Sequence, residues 1–354
     1  MSDPGATDSA RSRTAGEAPA VGATVAAVDC GSNSTRLLVL DEQGGQLARV
    51  MRITRLGKGV DATGMLDPSA IARTVTVLDE YRRILDDHGV GPVRVAATSA
   101  VRDASNGQEF LDAAGRAIGA PAELLSGEEE GRLAFAGATA GLAPGHELRV
   151  VVDIGGGSTE LIAGVAGAPS TGPPGPSVGG AGAGGGVVSV VSLDVGCVRL
   201  TERCFHHDPP LAEERRACEE VIGAELERAA RALPVLDRDV PGGRQLIGVA
   251  GTVSTLSMLD QGLTEYDWGC VHHSELGRSA VDRWCEILVG EPAASRAVRP
   301  GMVEGREDVI AAGALVLSGV MRRFEFVRCL VSETDILDGL ACSLLAAPGP
   351  LSVS

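Results

Sequence analysis

Two short segments place an aspartate, a glycine-rich turn and hydroxyl side chains at one spacing. DCGSNSTRL (Asp29 to Leu37) aligns without gaps on DIGGGSTEL (Asp153 to Leu161), with Asp, Gly, Ser, Thr and Leu recurring at the same places. Glycine lets the backbone come close to a ligand and turn so that successive amides converge on phosphate oxygens. Ser32, Asn33, Ser34 and Thr35 add donors in one copy. Gly155, Gly156 and Gly157, followed by Ser158 and Thr159, form the other. The copies differ at one telling position, where Arg36 in the first is matched by Glu160 in the second. An arginine grips phosphate oxygens and stays charged. Asp153 and Glu160 instead set two carboxylates beside a phosphate turn, the hard oxygen donors that Mg²⁺ prefers. The reading is a cationic grip in one copy and a divalent cation in the other; the plainer alternative pairs Glu160 with a surface arginine.

A third segment carries acid chemistry. SGEEEG contains Glu128, Glu129 and Glu130 at the start of a helical pattern. A carboxylate with an ordinary pKa of about 4.3 is ionised at neutral pH and can orient and deprotonate water. Ser126 and Glu129 also fit a capping box, and Glu128 suits a solvated helix start. The residues alone leave open which glutamate faces inward.

The elements that must position these groups repeat as well. VAAV, RLLVL and QLARVMRI read as strands joined by tight turns, followed by a helix from Asp67 to Gly89 with Pro68 in its first turn. Strand VRVAAT, a helix from Gln108 to Ile118, strand AELL and a helix opening at Ser126 complete the first passage. The second passage runs RVVVDI, ELIAGV and VVSVVSL, a helix from about Leu211 to Leu233, strand QLIGVAG and helix TVSTLSML. Helices near Ser274 to Val289 and over 306–323, strand VRCLVS and a last helix from about Asp335 follow. A repeated element order around a repeated motif is the mark of internal duplication. Residues 1–22 read as a disordered tail, and the Gly/Pro-rich stretch 166–186 as an expanded hairpin loop.

Composition sets the frame. A chain of 354 residues, 44% hydrophobic and 22% charged, suits a globular protein of two domains. The apolar run from Val309 to Met321 is too short for a membrane span and reads as a core helix. The polar N-terminus has no apolar targeting core, so a cytoplasmic location is expected. A net charge of −16 argues against nucleic-acid binding. The eight cysteines have no C-x-x-C spacing and read as small buried thiols in a reducing compartment.

The series AAVDCGSNSTRLLV, AATSAVRDASN, LLSGEEEGRLAFAG, VVDIGGGSTEL, SLDVGCVRLTE, GVAGTVSTL and GMVEGREDVIAAGAL resembles the motifs of the exopolyphosphatase and guanosine pentaphosphate phosphatase family, from about Val25 to Leu345. The resemblance implies an α/β fold of two duplicated actin/Hsp70/sugar-kinase-like (ribonuclease H-like) domains with a cleft between them. The domains would span 23–145 and 146–334, with a terminal helix over 335–346 packing back on the first. It implies Glu130 as general base, Asp153 and Glu160 as Mg²⁺ ligands, and Arg36 and Arg306 as phosphate or nucleotide contacts. Arg102 and Asn106 are further candidates. The implied reaction is hydrolysis of terminal phosphate from inorganic polyphosphate, or of the 5′-terminal phosphate of guanosine pentaphosphate by the same site. A third reading is a sensor that binds without hydrolysing, with GVAGTVSTL under a nucleoside. No membrane or nucleic-acid partner is implied; a homodimer is compatible. The chain departs from the family at Cys30, in place of an aliphatic residue, and in the Gly-rich insertion. It reads as the short two-domain form, with His207-Asp208 and His272-His273 as loop features.

Overall fold

A computed structural model describes residues 23–345 except 144, 146, 166–185, 239 and 241. The expected tail and most of the Gly-rich loop therefore lie outside the described residues. Two mixed α/β lobes repeat one topology. In the first, β1 (Val25–Cys30), β2 (Ser34–Leu40) and β3 (Gln46–Ile53) form an antiparallel meander. After α1 (Val60–Thr63) and α2 (Pro68–Asp87) the chain returns as β4 (Val93–Ala97), parallel to β1. Then come α3 (Ser99–Arg102), α4 (Gly107–Ile118), β5 (Ala122–Leu124) and α5 (Gly127–Thr139).

The second lobe repeats the plan with β6 (Leu148–Ile154), β7 (Thr159–Val165) and β8 (Gly186–Leu193), then α6 (Cys197–Cys204), α7 (Ala212–Ala232), β9 (Arg244–Val249) and α8 (Ala250–Gln261). It continues through α9 (Trp268–Val271), β10 (Glu275–Gly277), α10 (Arg278–Gly290), α11 (Ala293–Ala297), α12 (Ile310–Arg323), β11 (Arg328–Val331) and α13 (Ile336–Leu345). The sheet orders are β3-β2-β1-β4-β5 and β10-β11-β9-β6-β7-β8. Read from the meander inward, the second order matches the first strand for strand and adds β10 at the edge. This is the duplicated α/β fold expected from the repeat.

Local chemistry explains the boundaries. Asp67 caps α2 by accepting from the Ser69 and Ala70 amides, with Pro68 just inside. Val165 pairs with Gly186, so β7 and β8 are adjacent antiparallel strands on either side of the stretch that lies outside the described residues. Two expectations shift. The segment 274–289 begins with edge strand β10 rather than helix, and α12 starts at Ile310, four residues past Arg306. The sequence reading places no element over Cys197–Cys204, where the structure has the eight-residue helix α6.

Packing crosses between the lobes. Ile336, Leu337, Leu340 and Ala341 of α13 are buried with Val25, Ala27, Leu38 and Leu40 of the first sheet. Each fully buried leucine contributes roughly 1.5–3 kcal/mol. In exchange, Phe135 and Ala138 of α5 pack with Val151, Ile162, Ile247 and Val249 of the second sheet. Helix α5 therefore sits between the sheets and cannot be assigned to one lobe by packing alone. α12 is almost wholly buried, and among the described residues no helix is long and apolar enough to cross a membrane. Cys270 and Cys342 are exposed while the other six cysteines are buried, so the buried-thiol expectation fails at those two.

Candidate active site

The repeated segments fold into the same turn. In one, the Gly31 amide donates to the Ser34 carbonyl at 3.0 Å; in the other, Gly155 donates to Ser158 at 3.0 Å. The flanking strands place Asp29 opposite Arg36 and Asp153 opposite Glu160, the same register in each lobe.

The carbonyls of both turns are held from behind. Amides of Cys197, Val198 and Arg199 at the start of α6 donate to the Gly155 and Gly156 carbonyls at 2.9–3.0 Å, and Arg199 Nε donates to the Gly157 carbonyl at 2.7 Å. In a planar trans peptide the N–H points opposite to the C=O. The amides of Gly156, Gly157 and Ser158 are thereby turned away from α6, and they donate to nothing among the described residues. In the first lobe the Ser32 carbonyl accepts from Gly57 (2.7 Å), and the Asn33 carbonyl from Thr54 and Arg55 (3.0 and 2.9 Å). The Asn33 amide is likewise left without an acceptor among the described residues. Converging unpaired amides form an anion-binding nest.

The two turns face each other and nearly touch. A methyl group on Gly156 would stand 2.7 Å from Ser32 Cβ and 3.2 Å from the Asn33 nitrogen. They form the floor of a cleft with room for about 470 Å³ between the lobes. Asp29, Ser32, Asn33, Ser34, Arg36, Glu130, Asp153, Gly155, Gly156, Ser158 and Arg306 line it. Gly157, Thr159, Glu160 and Arg102 are not among the lining residues. Thr159 is fully buried and donates to the Val195 carbonyl, a bond internal to the lobe rather than a ligand contact. Asn106 clamps the Leu66 backbone through both its amide atoms and stands away from the cleft.

Three carboxylates cluster at the floor. Glu130 lies in the first turn of α5, 7% exposed, and points inward. Glu129 is used by the capping box with Ser126, and Glu128 pairs with Arg132 on the outside, so the structure separates the three glutamates. Burial, and then the nearby charges of Glu160 and Asp153, push the Glu130 carboxyl well above the usual range; Arg102, 3.5 Å away, acts in the opposite direction. Asp153 is raised well above its ordinary value by burial and by Glu160. Glu160 is raised by burial and accepts from Ser192 Oγ at 2.7 Å. Glu130 Oε2 and Asp29 Oδ1 are buried without a hydrogen bond, as is the Asn33 amide nitrogen Nδ2. Each such atom costs roughly 1–3 kcal/mol unless a ligand satisfies it. Among the described residues no three His, Cys, Asp or Glu side chains converge in a ready-made metal cage. Buried carboxylates that repel one another nevertheless fit a hard cation that keeps most of its waters.

The cations are arranged differently from expectation. Arg36 is bound by Asp29 at 2.7 Å and by Asp335, so its grip is already taken up by carboxylates. Arg306 of the second lobe pairs with no carboxylate among the described residues. It is 7% exposed, its guanidinium donates to Met51 Sδ at 3.9 Å, and burial lowers its pKa. Gly251 makes room for its guanidinium, which a Cβ at that position would strike.

Some cleft residues gave no sequence signal. Asp335 caps the site from the chain's far end, since α13 returns to the first sheet. Tyr266 and Trp268 line the outer part of the cleft with Met51 and Met258. Tyr266 donates to Glu333 at 2.6 Å, and Arg49 lies over the Trp268 ring at 5.4 Å. Behind Trp268, His272 makes a tilted ring contact with it and stacks on His273; the histidine pair lies in a turn, as expected. With 2 Trp and 2 Tyr in the chain, placing one of each here is a clear concentration. Their sequence context has no periodicity that would have marked it.

Comparison with known proteins places relatives along most of the chain. The sequence profile of the Ppx/GppA phosphatase family matches residues 38–347. Exopolyphosphatase 2 of Mycobacterium tuberculosis is 40% identical over 336 residues, covering 90% of this chain and 98% of that protein. An exopolyphosphatase-like protein of known structure superposes with a TM-score of 0.79 at 32% identity, covering 90% of this chain and 97% of its own. An exopolyphosphatase from Cytophaga hutchinsonii gives 0.78 at 25% identity, covering 91% and 97%. The Aquifex aeolicus member of the Ppx/GppA family gives 0.70 at 31% identity, covering 91% and 97%.

Proposed function

This chain belongs to the Ppx/GppA phosphatase family, and from that premise we propose that it is an exopolyphosphatase that removes the terminal phosphate of inorganic polyphosphate with Glu130 as general base. The supporting observation is the meeting of three features in one cleft: facing turns with unpaired backbone amides, a buried arginine with no carboxylate partner, and a buried glutamate with an oxygen that accepts no hydrogen bond. Phosphoryl transfer asks the protein mainly for positioning and charge neutralisation. The amides of Gly156, Gly157, Ser158 and Asn33, with Arg306, hold the terminal phosphates. Glu130 orients a water and accepts its proton as the water oxygen bonds to the terminal phosphorus. The bridging P–O bond breaks and orthophosphate leaves. Asp153 and Glu160 would hold a Mg²⁺ or another divalent cation, which neutralises charge on the phosphoryl oxygens when bound.

A second reading has its own observation. Tyr266 and Trp268 give the outer cleft aromatic faces, with the Glu333 carboxylate beside them. A nucleobase can stack on such faces, which suits guanosine pentaphosphate. Phosphate release is to be measured on polyphosphates of several lengths and on guanosine pentaphosphate, with wild type, Glu130→Gln and Trp268→Ala. Release from polyphosphate, lost in Glu130→Gln and unchanged in Trp268→Ala, is expected. A loss confined to guanosine pentaphosphate in Trp268→Ala selects the second reading. Binding without release by wild type leaves a sensor.

A further inference from the structure

The segment SLDVGCVRLTE folds into α6, whose outer face carries Arg199, Glu202 and Arg203 at helical spacing. That face meets the first lobe. Glu202 accepts from the Gly59 amide at 3.0 Å, and Arg203 pairs with Asp61 at 2.7 Å. Arg199 does more. Its Nη1 bonds Asp61 at 3.1 Å and its Nη2 bonds Asp103, both in the first lobe. Its Nε holds the carbonyl of Gly157 in the second-lobe turn. All three guanidinium nitrogens are thus engaged, one on the phosphate turn and two across the cleft. The side chain is 13% exposed, so these bonds are largely screened from water.

We propose that Arg199 is a positioning residue that makes the geometry of the second phosphate turn depend on lobe closure. The Gly157 carbonyl and the Ser158 amide belong to one rigid peptide plane, so fixing the carbonyl aims the amide into the cleft. The same guanidinium can hold all three partners only while Asp61 and Asp103 are within reach, that is, with the lobes together. Opening pulls the fork off one set of partners, and the turn loses its brace. Arg203 shares Asp61 but touches no part of the turn, which separates this role from lobe docking in general. The inference rests on the proposed phosphate-binding role of the turn.

The test uses the full chain with Arg199→Ala, Arg199→Lys and Arg203→Ala. Phosphate release gives KM and kcat, and calorimetry with tripolyphosphate gives affinity independently of turnover. Loss of an interaction made equally in ground and transition states raises KM with little change in kcat. Arg199→Ala is expected to raise KM and weaken tripolyphosphate binding about tenfold, with kcat within threefold. Arg199→Lys is expected to show the same shift at smaller size, since an ammonium lacks the fork that spans a carbonyl and two carboxylates. It also keeps the test open if the alanine variant does not fold. Arg203→Ala is expected to leave KM unchanged. Equal effects of Arg203→Ala and Arg199→Ala, or wild-type KM and affinity in both Arg199 variants, overturn the proposal. If wild type releases no phosphate, the exopolyphosphatase reading fails, while the calorimetric comparison still decides the role of Arg199.

Discussion

Gly156 and Ser32 meet across the cleft with no room for a methyl group between them: a Cβ on Gly156 would lie 2.7 Å from Ser32 Cβ. The contact joins equivalent turns of the two lobes, so it sets how closely those turns approach each other across the cleft. Gly156→Ala is expected to wedge the turns apart. A drop in kcat/KM of at least about tenfold should follow, since small displacements at a positioned site are costly. Steady-state kinetics on polyphosphate check it, and unchanged kcat/KM would show that the turns need not touch.

Glu130→Gln keeps the shape of the side chain and removes its basicity. Turnover should fall by about a hundredfold to ten-thousandfold, the usual worth of a positioned general base. The same change removes one charge from a crowded buried cluster. In metal-free buffer the variant should therefore melt higher than wild type, by scanning calorimetry. Full turnover in this variant would reassign the base.

Asp153→Asn weakens a cluster suited to a hard cation. The Mg²⁺ concentration giving half-maximal phosphate release should rise about tenfold or more, because one charged oxygen donor is lost. Binding of Mn²⁺ alone, followed by its paramagnetic signal, offers a readout apart from activity. Identical metal dependence would move the cation elsewhere.

Arg306 is a buried cation with no carboxylate partner among the described residues. Arg306→Met should weaken tripolyphosphate binding about tenfold to a hundredfold, since a hydrogen bond to a charged group contributes about 1.5–3 kcal/mol. The ligand-free variant should melt no lower than wild type, because an uncompensated buried charge destabilises. Lost stability with unchanged binding would make Arg306 purely structural.

Away from the cleft, Glu214 accepts from His207 Nδ1 at 2.8 Å and from the His206 and Leu211 amides. The His207 hydrogen bond leads the causes that lower its pKa to about 2. A lowered carboxyl contributes stability that is full above the unfolded value of about 4.3 and is lost as pH falls toward 2. Glu214→Gln should thus lower Tm at pH 7, and the gap to wild type should narrow between pH 4.5 and 3. A gap that is constant with pH would exclude ionisation as its source.

Most of the architecture was legible because duplication leaves its mark in residues. The gapless match of DCGSNSTRL to DIGGGSTEL already contained the register that pairs Asp29 with Arg36 and Asp153 with Glu160. Capping chemistry located α2 and α5 to within a residue or two. Short elements escaped: α6 has eight residues and β10 three, and both are held by contacts from elsewhere in the chain.

At the site, sequence alone identified the turns, the acids beside them and a helix start rich in glutamate, since residue type and spacing decide what chemistry is available. Only the tertiary structure decided which groups are free to perform it. It turned Glu130 inward and left Glu128 outside, bound Arg36 between Asp29 and Asp335, left Arg306 without a carboxylate partner, and brought Arg199 to the Gly157 carbonyl. The reason is physical: backbone propensity and turn chemistry act over a few residues. Charge pairing and burial are settled by partners as distant as Arg36 and Asp335, which meet only in the folded chain.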